Sequence, residues 1–351
     1  MKRCVFSVAL GSVIFFTMNV LEAAYTIKDG KLINMHEIAT LSVQEHYSLA
    51  KQALEQGNWP ELIRHSNIIV KNFPGTDFAW DCYFYLGKAY FYLGELDFSN
   101  ANFSIYLKQS TPKFFEEAIE YKFHIAQSFE KGEKKSLLGV AGMPKWMPAY
   151  QEAIEIYEEV IMALPQHDLA VQSMLGKGLL LFKEGDFKES IEIFQTLIRR
   201  FPKHPLACDS YIAITNVYLK QSKEEYPDPD YLDLAEINIR KFKQDFPSHP
   251  KIEAVEAMLG EMKELFATEL YKTAQFYERT KKPKAAMIYY SKIMAKYPGT
   301  KISTKSQKRL DVLRPKEESN EKEFQVHKKP GDLVVEASEE SSEKTETAEI
   351  Q

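Results

Sequence analysis

Glycine, proline and cysteine are scarce in this chain, which has 15 Gly, 16 Pro and 3 Cys among 351 residues. The low glycine and proline content argues against a loop-rich or barrel architecture and favours helices. Cys82 and Cys208 are 126 positions apart, so two small buried side chains are a better interpretation than a disulfide. Cys4 precedes an apolar run, whereas the lipidated cysteine of a lipobox follows one.

Sequence motifs of catalysis are also missing. The chain has no G-x-S-x-G, Walker, C-x-x-C or H-E-x-x-H sequence, and its eight histidines are scattered. Adjacent acidic residues such as Glu158 and Glu159 face different directions on a helix, so they do not support paired-carboxylate catalysis. The sequence therefore predicts a protein that is not an enzyme and has no cofactor, no metal and no small-molecule substrate.

The formal net charge of -5 is concentrated at the C-terminus. Residues 316–351 contain 11 Asp and Glu against 5 Lys and Arg, so residues 1–315 carry a net charge of only +1. A nearly neutral body without a stripe of Lys and Arg gives no electrostatic case for nucleic acid. The tail is rich in Glu, Ser, Lys and Thr and poor in aromatics, so we predict that residues 315–351 are disordered.

The N-terminus has the order of a secretory signal, with Lys2 and Arg3 followed by an apolar run over residues 5–21. An uncleaved anchor is the alternative, because a run of 17 residues is at the short end of what crosses a bilayer. We predict a signal peptide over residues 1–24, an N-terminal extension over 25–42, and an exported protein that is peripheral to the membrane.

Pairs of an aromatic residue or leucine with a following proline recur along the chain. Proline cannot continue a helix and restrains the residue before it, so each pair predicts a helix end. The pairs are Phe73-Pro74, Leu164-Pro165, Phe201-Pro202, Phe246-Pro247 and Tyr297-Pro298. The second and third of these prolines are 37 positions apart, close to the ~34-residue tetratricopeptide period.

Small and large residues recur where the two antiparallel helices of such a repeat must touch. A small residue on the first helix lets the second approach, and a large aromatic fills the gap further along. Three units in register contain Leu86, Gly87, Tyr90, Ser99 and Phe103; Gly178, Leu181, Ser190, Phe194 and Leu197; and Ala274, Tyr277, Ala286, Tyr290 and Ile293. The sequence thus predicts an all-α fold, a right-handed superhelical solenoid of about six tetratricopeptide-like helical hairpins over residues 43–314.

Two insertions, over residues 133–148 and 224–230, lengthen the turn between paired helices. Such insertions project from one edge of a solenoid. Contact with a partner is favoured over solvent exposure for residues 137–140 and for Trp146 and Met147, because these apolar side chains would otherwise be exposed. Residues 251–266 have helical spacing, and we predict that they run into the following helix or pack as a linking helix.

Inward-facing aromatic residues predict a peptide-binding groove on the first helices of the N-terminal repeats. With the second unit registered on Gly87, the inner positions of the first three repeats include Tyr47, Lys51, Phe84, Lys88, Phe91, Tyr92 and Phe123. Rings beside Lys51 and Lys88 suit an extended segment that carries aromatics and a carboxylate. The alternative is that Phe84 and Phe91 only pack against the neighbouring repeat.

The chain resembles the BamD family, the YfiO-type tetratricopeptide subunits of the machinery that assembles outer-membrane β-barrels. In the N-terminal half the resemblance is carried by Tyr85-Leu86-Gly87-Lys88-Ala89-Tyr90. It is closer in the last repeat, over Glu269-Leu270-Tyr271, Ala274, Tyr277, Arg279, Ala285-Ala286 and Tyr297-Pro298-Gly299-Thr300. Two departures are Tyr289, where the family commonly has Arg, and the lack of a cysteine just after the signal.

The resemblance implies a periplasmic scaffold at the outer membrane, with a BamA-like barrel subunit and unfolded outer-membrane proteins as partners. In that family, basic residues of the last repeat engage the barrel subunit. The resemblance therefore implies a docking contact on the first helix of the last repeat, at Arg279 together with Tyr271 and Gln275. Two other interpretations stay open. One is a different envelope repeat adaptor, such as a secretin pilotin or a cell-wall synthesis coordinator, and the other is a hydrolase accessory or degenerate enzyme.

Overall fold

The computed structural model describes residues 25–28, 31–34, 38–136, 144–224 and 228–327. They fall into two compact units, unit 1 over Met1–Ala163 and unit 2 over Leu164–Gln351. The predicted signal peptide and the apolar residues 137–140 of the first insertion lie outside the described residues.

Unit 1 contains six described helices that pack in sequence order as three hairpins. The helices are α1 (Val43–Gln56), α2 (Trp59–Asn72), α3 (Asp77–Tyr92), α4 (Leu96–Tyr106), α5 (Phe115–Glu130) and α6 (Tyr150–Ala163). In the predicted N-terminal extension, β1 (Tyr25–Lys28) pairs antiparallel with β2 (Lys31–Asn34). In the first insertion, β3 (Lys134–Ser136) pairs with β4 (Lys145–Pro148), where Trp146 and Met147 are 67% and 42% exposed.

Unit 2 contains three further hairpins and a final helix within its described residues. The helices are α7 (Asp168–Glu184), α8 (Phe187–Arg200), α9 (Pro205–Glu224), α10 (Pro229–Asp245), α11 (Ile252–Arg279), α12 (Pro283–Lys296) and α13 (Lys301–His327). The predicted all-α fold of six helical hairpins is therefore confirmed. The prediction that residues 251–266 run into the following helix is also confirmed, because α11 continues without a break into the first helix of the sixth hairpin.

Helix boundaries follow local capping chemistry. At the start of α1, the Ser42 hydroxyl accepts a hydrogen bond from the Glu45 amide at 3.3 Å, and the Glu45 carboxylate accepts one from the Ser42 amide at 2.9 Å. At the other end, α2, α6, α8, α10 and α12 each stop one residue before an aromatic or leucine that precedes proline. All five predicted helix ends are confirmed.

Close helix contacts follow the predicted pairing of small and large residues. A Cβ on Gly87 would lie 2.6 Å from the ring of Phe103, and a Cβ on Gly178 would overlap the ring of Phe194. The hydroxyl of a serine on the second helix then donates to the carbonyl of each glycine at 2.8 Å, from Ser99 in one hairpin and from Ser190 in the other. The same close packing of a glycine against a phenylalanine, with a serine hydrogen bond beside it, therefore occurs in unit 1 and in unit 2.

Two details concern the C-terminus and the cysteines. The predicted disorder is wrong for residues 315–327, because α13 continues through Pro315 to His327, and residues 328–351 lie outside the described residues. Glu and Lys are good helix formers, so a charged segment can extend an existing helix without burying a core of its own. Cys82 and Cys208 are free and buried, as predicted.

A pair of buried histidines joins α1 to α2. The Nδ1 atoms of His46 and His65 are 3.0 Å apart. The Nε2 atom of His46 accepts from the Leu41 amide at 3.4 Å, so Nδ1 of His46 carries the proton and donates to His65. Burial first, and then the nearby Arg64 guanidinium, lower the pKa of both histidines. Glu45 and Glu61 act in the opposite direction.

We expect the stability of unit 1 to fall as the pH drops below about 6.5, the ordinary pKa of histidine. The folded-state pKa values of His46 and His65 are lowered, so the unfolded chain binds more protons in that range and acid favours unfolding. Thermal melts between pH 7.5 and 5 measure the loss. The variant His46→Leu/His65→Leu, which removes both partners, should flatten the pH dependence of unit 1, and an unchanged slope would contradict this origin.

Candidate protein-binding surfaces

Among the described residues, no group of three or more His, Cys, Asp or Glu side chains is arranged so that it could hold a metal ion. None of the described helices combines the length and the apolar character that a membrane span requires. The features that stand out are exposed aromatic and aliphatic side chains, and these are typical of surfaces that contact other proteins.

In the first part of the predicted groove, hydrogen bonds between α1 and α3 hold the side chain of Tyr47. The hydroxyl of Tyr47 donates to Asp81 at 2.5 Å and lies 3.3 Å from the hydroxyl of Tyr85. Burial and the Asp81 carboxylate raise the pKa of Tyr47. Lys51 is exposed, with its ammonium 5.6 Å from the centre of the Tyr47 ring. Tyr47 therefore joins two hairpins and offers little free surface.

Phe84 and Phe123 belong to the core and not to the groove. They are 2% and 3% exposed, so the prediction that their rings face a ligand is wrong. The ring of Phe84 stacks on Phe114, with centroids 4.6 Å apart, because the connection before α5 folds back over it. Phe123 lies 6.1 Å from the ring of Tyr157 on α6. For Phe84 the packing alternative is correct.

Phe91 and Tyr92 do lie at a surface, together with two aromatic residues that the groove prediction omitted. Tyr92 is 54% exposed and stacks on Trp59, with ring centroids 4.6 Å apart and planes 7° apart. Tyr121 of α5 lies 5.0 Å from the ring of Phe91, and its hydroxyl is 3.3 Å from that of Tyr92. We name these four residues, Trp59, Phe91, Tyr92 and Tyr121, the N-terminal aromatic surface.

A cavity of about 290 Å³ opens at this surface between α3 and α5. Phe91, Tyr92 and Tyr121 line it together with Glu117, Glu120 and His124. Lys88 does not offer a free positive charge, because its ammonium binds Glu117 at 2.9 Å. The expectation that Lys88 attracts a ligand carboxylate is therefore corrected, since the Glu117 carboxylate already occupies it.

Sequence reasoning missed Trp59 and Tyr121 for different reasons. Trp59 begins the second helix of its hairpin, whereas the predicted groove uses only the first helix of each hairpin. Tyr121 is in the third repeat, whose long insertion obscured the register. Tyr92 and Tyr121 are 29 positions apart, which is shorter than the ~34-residue repeat period, so the repeat pattern does not predict that they meet.

The residues predicted to form the C-terminal docking contact lie on α11 near its end. Tyr271, Gln275 and Arg279 are spaced by four residues and share one side of the helix, and we name them the C-terminal face. Gln275 and Arg279 are exposed, whereas Tyr271 is half-buried with its ring 5.3 Å from that of Tyr290. The neighbouring Phe276, which the sequence did not single out, is 53% exposed.

A set of contacts holds the end of α11 in place. Glu278 accepts a hydrogen bond from the Tyr290 hydroxyl at 3.0 Å and pairs with Arg309 of α13. Tyr289 stacks on Tyr277, with centroids 5.3 Å apart and planes 16° apart. Tyr289 thus packs α12 against α11 through its ring. Unlike the Arg that the family commonly has at this position, it supplies no charge.

The arrangement defines a class of protein, a helical-hairpin repeat scaffold, here with exposed aromatic surfaces. The sequence profile of the YfiO family, described as an outer membrane lipoprotein, matches residues 147–322, half of the chain. The chain belongs to the YfiO family. No curated protein matches it in sequence.

Solved tetratricopeptide proteins are similar to parts of the chain. A tetratricopeptide repeat protein from Parabacteroides merdae has 12% identity and a TM-score of 0.33, covering 78% of this chain and 98% of its own. YrrB, a protein with an unusual peptide-binding site, has 12% identity and a TM-score of 0.35, covering 62% and 92%. MamA from Desulfovibrio magneticus has 15% identity and a TM-score of 0.33, covering 59% and 97%.

Proposed function

We propose that this chain is a periplasmic scaffold that assists the assembly of β-barrel proteins into the outer membrane. A BamA-like barrel subunit docks on the C-terminal face, and client segments bind at the N-terminal aromatic surface. The observation that carries the proposal is membership of the YfiO family, whose matched residues include the whole of α11. The exposed Gln275, Phe276 and Arg279 supply a polar and aromatic contact of the kind that interfaces favour.

Arg279→Glu is expected to weaken association with the barrel subunit by about tenfold or more, because reversing a charge at an interface puts like charges together. The side chain is exposed, so the folded state should lose no more than about 0.5 kcal/mol. Co-purification from envelopes measures the association, and circular dichroism checks the helical content.

Lys292→Glu is the matched control, since Lys292 is exposed on α12 and outside the C-terminal face. Equal recovery of the barrel subunit with Arg279→Glu and with the control would remove Arg279 from the docking site.

Client binding is proposed at the N-terminal aromatic surface because Tyr92 is 54% exposed and the adjoining cavity of about 290 Å³ can receive an aromatic side chain. Outer-membrane barrel proteins commonly end in a strand rich in aromatics, and such a segment would place alternate rings against Tyr92 and Tyr121. Of the two carboxylates that line the cavity, Glu117 is paired with Lys88, so the cavity has no free lysine for a terminal carboxylate.

Phe91→Ala with Tyr92→Ala should weaken binding of a peptide from such a terminal strand by about 5- to 150-fold, the equivalent of about 1–3 kcal/mol for buried rings. Fluorescence anisotropy measures the affinity. The same peptide with an amidated C-terminus should bind at least as tightly as the free acid, because Lys88 is already paired with Glu117 and is not free to bind the carboxylate.

Leu93→Ala is the matched control, because Leu93 is 44% exposed next to Tyr92 but does not line the cavity. If the double variant lowers the melting temperature by several degrees and affinity falls only in step with unfolding, Phe91 and Tyr92 are packing residues.

Crosslinking in intact cells followed by mass spectrometry separates this function from its alternatives. A BamA-like subunit crosslinked to α11 supports the assembly role. Recovery of a secretin or of a cell-wall enzyme in its place would assign the chain to another envelope adaptor.

A further inference from the structure

A second apolar groove lies in unit 2 between α8, α9 and α10, and it is separate from both surfaces above. Its volume is about 440 Å³. The base is formed by Tyr211, Ile214 and Tyr218 of α9, which are 3%, 1% and 6% exposed. We name it the α8–α10 groove. Its size falls in the range of sites that receive small molecules or a few side chains.

Helix α10 has an apolar side that the fold of unit 2 does not use. Its buried side consists of Leu232, Ala235, Ile239 and Phe242. Leu234 and Ile237 are three positions apart, point away from that buried side and line the groove, yet they are 43% and 46% exposed. Two adjacent aliphatic side chains at the mouth of an apolar cavity are typical of a surface that is covered in a complex.

The edges of the groove are positively charged. Arg199 of α8 and Lys241 of α10 both line it and are exposed, and no carboxylate is among its described lining residues. Arg199 donates to the Thr196 hydroxyl at 3.1 Å. Neither cation has a carboxylate partner within the described residues. Asp245, one turn beyond Lys241, is bound by the Tyr211 hydroxyl at 2.6 Å.

We propose that the α8–α10 groove binds a protein segment in which aliphatic side chains are flanked by carboxylates. The aliphatic side chains cover Leu234 and Ile237, and the carboxylates pair with Arg199 and Lys241, because apolar burial and charge complementarity then act at the same site. The groove is on α8 to α10 and the proposed docking residues are on α11, so this inference does not depend on the proposed function.

The test uses the full chain and a fluorescein-labelled peptide that has a leucine–isoleucine pair with two glutamates on either side. A second peptide has lysines in place of the glutamates. We expect the acidic peptide to bind with a micromolar-range Kd and at least tenfold more tightly than the basic one. Ile237→Ser should weaken the acidic peptide about tenfold, and Arg199→Glu with Lys241→Glu should reverse the preference between the two peptides.

Two exposed residues outside the groove supply the controls. Ile288→Ser removes an aliphatic side chain on α12 that is 67% exposed, and Arg240→Glu reverses a charge next to Lys241 that does not line the groove. Neither should change the affinity by more than about twofold. Absence of binding at millimolar peptide, or equal losses in the controls, would overturn the proposal. So would a dimer in sedimentation velocity that Ile237→Ser dissociates, since the occupant would then be a second copy.

Discussion

Phe103→Ala is expected to lower the free energy of unfolding of unit 1 by about 3–5 kcal/mol, the range for removing a fully buried phenylalanine. The ring is 0% exposed and lies 5.7 Å from Phe84 and 5.3 Å from Tyr121, measured between centroids. It also fills the space beside Gly87, so α3 cannot collapse onto α4 without moving both helices. Urea denaturation with hydrogen exchange resolved for unit 1 measures the loss.

Two further variants test the steric origin of this effect. Gly87→Ala alone should destabilise unit 1 by about 1–3 kcal/mol, because the added methyl group meets the Phe103 ring. In the Phe103→Ala background the same change should cost much less, since the ring is gone and the two sites are coupled. A loss below about 1 kcal/mol for Phe103→Ala, or simple additivity of the two changes, would contradict this account.

Lys122→Ala is expected to destabilise unit 1 by about 2–4 kcal/mol, because it removes a buried stem, two hydrogen bonds and an ion pair together. The side chain is 0% exposed. Its ammonium donates to Asn100 at 2.7 Å and to Ser104 at 2.6 Å, and it pairs with Glu159 of α6. Burial lowers the pKa of Lys122 and the nearby Glu159 acts in the opposite direction, and these contacts of the side chain join α4, α5 and α6.

Conservative variants separate packing from hydrogen bonding at this lysine. Lys122→Met keeps most of the stem and should lose about 1–3 kcal/mol, the cost of leaving polar partners unmatched. Glu159→Gln should lose less than about 1 kcal/mol, because the Glu159 side chain is 46% exposed and can be solvated. Chemical denaturation gives the three values. A loss for Glu159→Gln equal to that for Lys122→Ala would indicate that the ion pair dominates.

Local chemistry made most of the fold predictable. The aromatic-proline pairs mark helix ends because proline ends a helix whatever surrounds it, and all five do so here. The glycine and aromatic positions predicted which helices approach closely, since Gly87 and Gly178 leave room only for a ring opposite. Composition failed at residue 315 because it measures the capacity to bury a core, whereas α13 continues as a helix through Pro315 to His327.

The surfaces were harder to predict, because exposure depends on neighbours from distant parts of the chain. Phe84 and Phe91 are spaced by two helical turns and have the same chemistry, but Phe114 covers the first and nothing described covers the mouth beside the second. Lys88 is at a position where it could bind a ligand carboxylate, but its ammonium already pairs with Glu117 of the next repeat. The predicted residues of the C-terminal face, Gln275 and Arg279, are exposed because the buried side of α11 lies elsewhere.

The sequence by itself determined the helical hairpins, their ends and the small and large residues between them, because these depend on contacts within one repeat. Tertiary structure alone decided which aromatics stay accessible, which charges are already paired, and that α8, α9 and α10 leave an apolar groove open. Those properties depend on how successive hairpins stack, and neighbouring repeats contribute side chains that no single repeat specifies.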